Sequence, residues 1–162
     1  MKPYQNSNFV SILKLFIHLN KEKLIIGRTD IADFPLLEIY QIAIKIDSGA
    51  YTSSIHCKNI EEINGKLHCD FLDDSHNQYD GKKFTFSEYK TTTVKSSNGI
   101  ASERFAIKTQ IKLFNKTYPI TLTLNDREEM RFPVLIGRKF LSGKFLIDPK
   151  LTDLSFSHKK LS

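Results

Sequence analysis

The stretch at residues 42–57, Ile-Ala-Ile-Lys-Ile-Asp-Ser-Gly-Ala-Tyr-Thr-Ser-Ser-Ile-His-Cys, decides the fold of this chain. Isoleucines at every second position from 42 to 46 follow the period of a half-buried β-strand. The strand delivers Asp47 to its end. Ser48 can bond neighbouring backbone through its hydroxyl, and Gly49 permits a close backbone approach. The pattern therefore predicts a carboxylate on a tight, rigid turn.

A second stretch, at residues 132–141, reads Phe-Pro-Val-Leu-Ile-Gly-Arg-Lys-Phe-Leu. Large aliphatic residues there precede Gly137 and Arg138. An Asp-Ser-Gly tripeptide alone is an ordinary turn, which average composition produces in about one chain of this length in ten. Its occurrence upstream of a hydrophobic-hydrophobic-Gly-Arg segment makes it informative.

With both stretches in one chain, the sequence resembles the retropepsin-like aspartic proteases, whose half-sites combine these two elements. It is closer to a bacterial branch that carries the label ATP-dependent zinc proteases and is now viewed as retropepsin-like. The matching motifs, in the same order, are Lys45–Ala50, Ser96–Gly99, Glu103–Arg104, Leu124–Arg127, Met130–Pro133, Leu135–Arg138 and Ile147–Pro149. The resemblance implies a mainly β, single-domain fold built as a closed retropepsin-like barrel.

Length and composition agree with one mainly β domain. The 162 residues are 40% hydrophobic and 11% aromatic, which suits a single core. We predict strands at residues 24–28, 42–46, 54–63, 66–72, 83–94 (one strand or a pair), 105–113, 117–124, 134–136, 145–147 and 154–156, a loop at 73–81 and a helical turn at 138–141. Hairpin turns are expected at Asn64-Gly65 and Asn115-Lys116. The domain is predicted to cover residues 23–158.

Residues 1–22 differ from this domain and are predicted to form an amphipathic N-terminal extension. Its apolar residues recur at helical spacing: Phe9, Val10, Ile12, Leu13, Phe16 and Ile17. The segment predicts a short helix, too short and too charged to span a bilayer, and it has no small-residue cleavage site. We therefore expect no membrane association and a cytoplasmic location, where Cys57 and Cys69 stay reduced.

Four potential zinc ligands, His56, Cys57, His68 and Cys69, lie within fourteen residues. In an unbroken hairpin, His56 shares the face of Cys69 and Cys57 shares that of His68, so the four do not converge without a register break. The sequence has no His-Glu-x-x-His motif and no nucleotide-binding Gly-x-x-x-x-Gly-Lys-Ser/Thr loop. We expect neither a metal nor a cofactor. A zinc-dependent peptidase, as the branch label suggests, stays open as an alternative.

The single Asp-Ser-Gly is half of an aspartic protease site. Such sites use two carboxylates that share one proton, one as the base that activates water and the other as the proton donor. The resemblance implies a homodimer in which Asp47 meets the Asp47 of a twin chain across a twofold axis. In that arrangement Ser48 braces the pair, Gly49 lets the two loops approach, and Gly137 packs beneath the loop.

The predicted substrate-binding residues are Ala50, Tyr51, Arg104, Arg127 and Arg138. Retropepsins usually carry an acidic residue where this chain has Tyr51, and that acid pairs with the arginine at Arg138. Two interpretations of Arg138 are open. It pairs with Asp126 or Asp148, or it faces the cleft and binds an anionic substrate group.

The net charge of +6 raises the expectation of an acidic partner, although a solvated basic surface without a partner fits equally well. Relatives of the branch are linked with ATP-grasp ligases that add glutamates to ribosomal protein tails, and some look like enzymes that trim those tails. The resemblance therefore implies an acidic, glutamate-rich peptide substrate, and we expect no nucleic acid partner. A second alternative is a catalytically inactive β-barrel module that binds a partner.

Overall fold

The computed structural model describes residues 23–95, 99, 101–126 and 131–161, so the predicted N-terminal helix lies outside the described residues. The strands are β1 (Leu24–Ile26), β2 (Thr29–Phe34), β3 (Ile39–Asp47), β4 (Ser53–Ile63), β5 (Lys66–Phe71), β6 (Lys83–Phe86), β7 (Lys90–Lys95), β8 (Ala101–Leu113), β9 (Lys116–Asn125), β10 (Val134–Gly137) and β11 (Phe145–Ile147). A 3-10 turn (Pro35–Leu37) follows β2, and the helices are α1 (Arg138–Leu141) and α2 (Leu154–Leu161). None of the described helices has the length and apolar character to cross a membrane.

Six of these strands close into a ring. β3 pairs with β2 and β10, β10 also pairs with β4, β4 pairs with β9, β9 with β8, and β8 with β2. β5 and β6 extend the sheet from β4, while β7 pairs with β8. The predicted stretch at 83–94 is thus a pair of strands. The mainly β, single-domain architecture is confirmed.

The core explains how the ring positions the end of β3. Ile42, Ile44 and Ile46 are all buried, as their alternation predicts, and Val134 and Ile136 of β10 are buried beside them. Burying a side chain of this size contributes about 1.5–3 kcal/mol relative to exposure. Because β3 and β10 are parallel and packed into the same core, their C-terminal ends meet at one place on the surface.

The turn between β8 and β9 is one residue earlier than predicted. It consists of Phe114 and Asn115, at φ 50° and 56°, and Leu113 pairs with Lys116. A two-residue turn of this kind needs the left-handed conformation at both positions. Asn115 adopts it readily, and the buried Phe114 ring packs 6.1 Å from that of Phe145. Tertiary packing therefore overrides the local preference.

The C-terminal stretch predicted as a strand at 154–156 is instead the start of helix α2. The buried carboxylate of Asp30 accepts hydrogen bonds from the backbone N–H groups of Ser155 and Phe156, at 2.9 and 3.1 Å. N–H groups in the first turn of a helix have no partner within the helix. Burial raises the pKa of Asp30, and these donors oppose that effect. The helix is therefore fixed by a residue 125 positions away, which local sequence does not reveal.

Thr109 gives a prediction about stability. Its buried hydroxyl has no hydrogen-bond partner within the described part of the chain. Because an unsatisfied buried hydroxyl is costly, we expect Thr109→Val to raise the free energy of unfolding by about 1 kcal/mol in urea denaturation. Thr123→Val is the matched control. The Thr123 hydroxyl donates to the Ser53 carbonyl at 3.1 Å, so this change should destabilise by about 1 kcal/mol. Changes of the same sign would contradict the assignment.

Candidate active site

Asp47 stands at the end of β3 on the tight turn that the sequence predicts. Its Oδ1 accepts hydrogen bonds from the backbone N–H groups of Gly49 and Ala50, at 3.1 and 3.2 Å. The Ala50 N–H also lies 3.3 Å from the Asp47 carbonyl. Within the described residues, Oδ2 accepts no hydrogen bond. One carboxylate oxygen is thus committed to the loop, and the other remains for chemistry.

Helix α1 anchors this loop from behind. The Arg138 N–H donates to the Ala50 carbonyl at 2.9 Å, and the Lys139 N–H donates to the Tyr51 carbonyl at 3.0 Å. These N–H groups belong to the first helical turn, where no intrahelical acceptor exists. The loop carbonyls satisfy them, so the helix start and the Asp-Ser-Gly loop stabilise one another.

Gly137 packs directly beneath the loop, which confirms the predicted placement. It pairs with Asp47 in the parallel register of β10 and β3. A Cβ at this position would lie 2.5 Å from the backbone of Thr52 and 2.8 Å from the Tyr51 carbonyl. Its N–H donates to the buried Ser53 hydroxyl at 3.0 Å. Only glycine fits, and Ser53 is a supporting residue that sequence reasoning did not identify.

Arg138 contacts the Asp-Ser-Gly loop itself. Its Nη1 donates to the Gly49 carbonyl at 3.1 Å, and its guanidinium carbon lies 5.5 Å from the centre of the Tyr51 ring. The prediction that it pairs with Asp126 or Asp148 is wrong. Where retropepsins usually place an acidic partner, this chain has an aromatic ring, and a cation–π contact replaces the ion pair. The guanidinium is exposed beside the loop.

Only some of the predicted site residues lie close together. The structure brings together Asp47, Ser48, Gly49, Ala50, Tyr51 and Arg138. Arg104 lies on β8, in the hairpin with β7, and its Nε donates to the Ser102 hydroxyl at 3.3 Å. Arg127 lies outside the described residues. The matching motif at 96–99 falls between β7 and β8, and only its Gly99 is described.

The candidate zinc ligands lie in the hairpin of β4 and β5, whose predicted Asn-Gly turn is confirmed. The predicted register holds from that turn to the pair Glu61 and His68, and then a bulge shifts it. Cys57 consequently pairs with Phe71 and shares a buried face with Cys69. The predicted face assignment is therefore wrong. The register shift occurs at Asn59, which adopts φ 50° and donates through Nδ2 to Asp70.

The four side chains have separate surroundings. The Cys69 thiol and burial hold the pKa of Cys57 well above its usual value, so this thiol is a packing group. His56 Nε2 lies 2.9 Å from the Asp73 carboxylate, and His68 Nδ1 lies 3.0 Å from the Thr85 hydroxyl. Among the described residues, no group of three or more His, Cys, Asp or Glu side chains is arranged to hold a metal ion.

The surroundings of Asp73 lead us to expect that part of the free energy of unfolding is lost in acid. Hydrogen bonds from Ser75 first, and then the His56 and His76 rings, hold the pKa of Asp73 well below its usual value. A depressed carboxyl pKa stabilises the fold above about pH 4, the unfolded value, and that contribution disappears as the pH falls below it. Asp73→Asn should therefore flatten the acid limb of stability measured by urea denaturation. Exposed Asp74→Asn is the control, and an unchanged acid limb in Asp73→Asn would contradict the assignment.

Comparison with protein families finds one match that covers most of the chain. Residues 25–158 match the model of a family described as RimB-like, retropepsin-like aspartic endopeptidase RimB. That description names an aspartic peptidase rather than a zinc peptidase.

Curated relatives bear a different name. The chain is 33% identical over 135 residues to a probable alpha-L-glutamate ligase of Shewanella pealeana, covering 81% of this chain and 30% of that protein. It is 34% identical over 147 residues to a protein of the same name from Desulfotalea psychrophila, covering 80% and 29%. The chain thus spans less than a third of the length of these relatives.

A solved structure shares the fold. The crystal structure of a Legionella pneumophila protein of unknown function superposes with a TM-score of 0.64 at 25% sequence identity. The similarity covers 82% of this chain and 98% of that one.

Proposed function

The chain belongs to the RimB-like family of retropepsin-like aspartic endopeptidases, and from this premise we propose that it hydrolyses peptide bonds with an Asp47 pair contributed by two chains. The observation that carries the proposal is the rigid loop, in which Oδ1 of Asp47 is held by backbone N–H groups. One chain supplies one such carboxylate. A twofold dimer supplies the second by symmetry.

The chemistry follows from bringing two like charges together. Two adjacent carboxylates do not both ionise in a partly desolvated site, so the pair holds one proton. The ionised Asp47 takes a proton from water while the water oxygen attacks the peptide carbonyl carbon. The protonated Asp47 of the twin donates its proton to the carbonyl oxygen. The resulting tetrahedral diol collapses with cleavage of its C–N bond. The Asp47 that took the water proton gives it to the leaving nitrogen, and a hydroxyl of the diol returns a proton to the Asp47 of the twin.

Exposure of the loop supports a dimer. Ser48 and Gly49 are exposed in the single chain, although backbone hydrogen bonds to Asp47 hold the loop to which they belong. Among the described strands, β1 and β11 pair only with each other, so both retain free edges. On this small sheet Ile25 and Leu146 are 51% and 54% exposed. Free strand edges with exposed apolar residues are typical of surfaces that a second chain covers.

The dimer has a direct kinetic test. We expect Asp47→Asn protein, added in equal amount to the wild-type chain and allowed to exchange, to lower total peptidase activity to about half, because only one quarter of random dimers keep two aspartates. As a control, the same amount of Ser157→Ala protein, which carries an exposed change on α2, is added instead and should not lower the activity. Undiminished activity in the presence of Asp47→Asn would contradict a shared site.

Three observations support a glutamate-rich substrate. The relatives are named glutamate ligases, while the part of them that matches this chain is under a third of their length. A peptidase that resembles part of a glutamate ligase has a natural substrate in the product of that ligation. The chain has a net charge of +6, and Arg138 places an exposed guanidinium beside Asp47. Guanidinium groups bind carboxylates through two parallel hydrogen bonds. We therefore propose that the enzyme trims glutamate-rich tails, such as those of a ribosomal protein.

Substrate preference tests this part separately. At low salt we expect a glutamate-tailed peptide to be cleaved with a kcat/KM about tenfold higher than its glutamine-tailed counterpart, and the difference should shrink as salt increases. Arg138→Gln should reduce the preference, whereas Lys116→Gln at the β8–β9 turn should not. Equal rates for the two peptides would count against the acidic substrate and leave peptide hydrolysis itself in place.

A further inference from the structure

A groove with several charged lining residues lies beside the Asp-Ser-Gly loop and does not include Asp47. Its volume is about 900 Å³, and it is bounded by the start of β4, the beginning of β7, the adjoining faces of β8 and β9, and helix α1. This volume matches sites that enclose a ligand of several residues rather than a single small ion. Its charged residues are Lys90, Lys108, Lys139, Lys144 and Glu88. Four positive charges against one negative charge favour an anionic ligand.

The strand register explains why two of the lysines act together. Lys90 of β7 pairs with Ala106 of β8, and Lys108 is two residues further along the same strand. Residues two apart on a strand, and residues directly paired across strands, share a face of the sheet. Lys90 and Lys108 therefore stand on one face. The same register puts Arg104, paired with Thr92, on that face.

One end of the groove reaches the catalytic loop. Thr52, which lines it, directly follows Tyr51, and the N–H of the lining residue Lys139 donates to the Tyr51 carbonyl at 3.0 Å. The Lys139 ammonium also lies 5.9 Å from the centre of the Tyr51 ring. A chain bound in the groove thus continues towards the residues that flank Asp47.

The groove wall formed by β7 favours a peptide over other anions. Among the described strands, β7 pairs only with β8, so its second edge has backbone N–H and C=O groups that no strand uses. An extended peptide can add to such an edge as a further strand, with backbone hydrogen bonds for affinity and alternate side chains towards the groove. A nucleic acid strand has no backbone that matches this pattern.

We propose that this groove is a second binding site, which holds an acidic peptide segment in extended conformation along β7 with its carboxylates on Lys90 and Lys108. The inference rests on the proposed peptidase function and deepens it, because the site would retain the acidic part of a substrate outside the Asp47 pair. The proposed site lies outside the Asp-Ser-Gly loop, because none of Asp47, Ser48 and Gly49 lines the groove.

Binding to the full chain tests the proposal. A fluorescein-labelled glutamate-rich peptide of about ten residues is titrated with Asp47→Asn protein, which does not cleave it, and anisotropy is recorded at low and high salt. The double variant Lys90→Gln/Lys108→Gln should raise the Kd about tenfold. The matched control Lys116→Gln/Lys150→Gln removes the same charge elsewhere and should change the Kd less than about twofold. Circular dichroism and the Tm establish that each variant is folded.

The outcomes separate this inference from the peptidase proposal. Equal weakening by both double variants would show attraction by overall charge and would overturn the groove site. An oligothymidylate that displaces the peptide at lower concentration than unlabelled peptide would overturn the assignment to a peptide. Hydrolysis of a short neutral peptide is measured on the chains that retain Asp47. If hydrolysis is absent but the groove lysines still govern binding, only the peptidase proposal falls.

Discussion

Asp47→Asn should abolish peptide hydrolysis, with kcat/KM reduced by at least about a thousandfold. The amide neither takes a proton from water nor shares one with its twin, so both roles of the pair are lost. The fold should remain, because the side-chain oxygen of Asn can still accept hydrogen bonds from the N–H groups of Gly49 and Ala50. Hydrolysis of an internally quenched peptide gives the rate, and the Tm reports the fold.

Asp74→Asn is the control for this change, since it neutralises an exposed carboxylate that is distant in sequence from the loop. It should retain full activity. If the Asp47→Asn protein kept more than about a hundredth of the wild-type rate after purification free of contaminating peptidases, Asp47 would not be the catalytic residue.

Gly137→Ala should be the most destabilising single-methyl change in this site, at about 3 kcal/mol. The added carbon would lie 2.5 Å from the Thr52 backbone and 2.8 Å from the Tyr51 carbonyl, and backbone atoms do not move aside as the end of a side chain does. Urea denaturation gives the free energy of unfolding. We expect peptidase activity to fall with it, because the displaced segment carries the Asp47 loop.

Gly49→Ala is the matched comparison. Its added methyl would meet only Asp47 Oδ1, at 3.3 Å, so the single chain should lose little stability. If two loops meet across a twofold axis, the same methyl should impair dimer formation and activity. A Gly137→Ala protein as stable as the wild type would contradict the packing beneath the loop, whereas a fully active Gly49→Ala dimer would contradict close approach of the loops.

The sequence predicts the parts of this site that depend on alternation and on short motifs. Isoleucines at alternate positions identify β3 and hence the location of Asp47, and the aliphatic run before Gly137 identifies β10. Both signals are local, since they reflect which side chains of one strand enter the core. The contact between the two strands followed from the resemblance and not from the residue pattern.

The features that sequence did not predict depend on contacts between distant residues. The bulge at Asn59 changes which side chains share a face, and the Asp30 carboxylate converts an apparent strand into helix α2. Ser53 looks like any hydroxyl residue after a turn until its contact with the Gly137 N–H is seen. The contact of Arg138 with the Tyr51 ring was likewise not predicted, because the sequence analysis looked for a carboxylate partner.

The anchoring of the Asp-Ser-Gly loop by helix α1 has a consequence for synthesis on the ribosome. The bond from Arg138 to the Gly49 carbonyl spans 89 positions, and the pairing of β3 with β10 spans a similar distance. Contacts this far apart form late, after the intervening chain has emerged and collapsed. A nascent polypeptide therefore displays its acidic residue long before anything holds that residue in a reactive geometry. If the chain is the peptidase proposed above, this order of events delays hydrolysis until β10 and helix α1 have been synthesised.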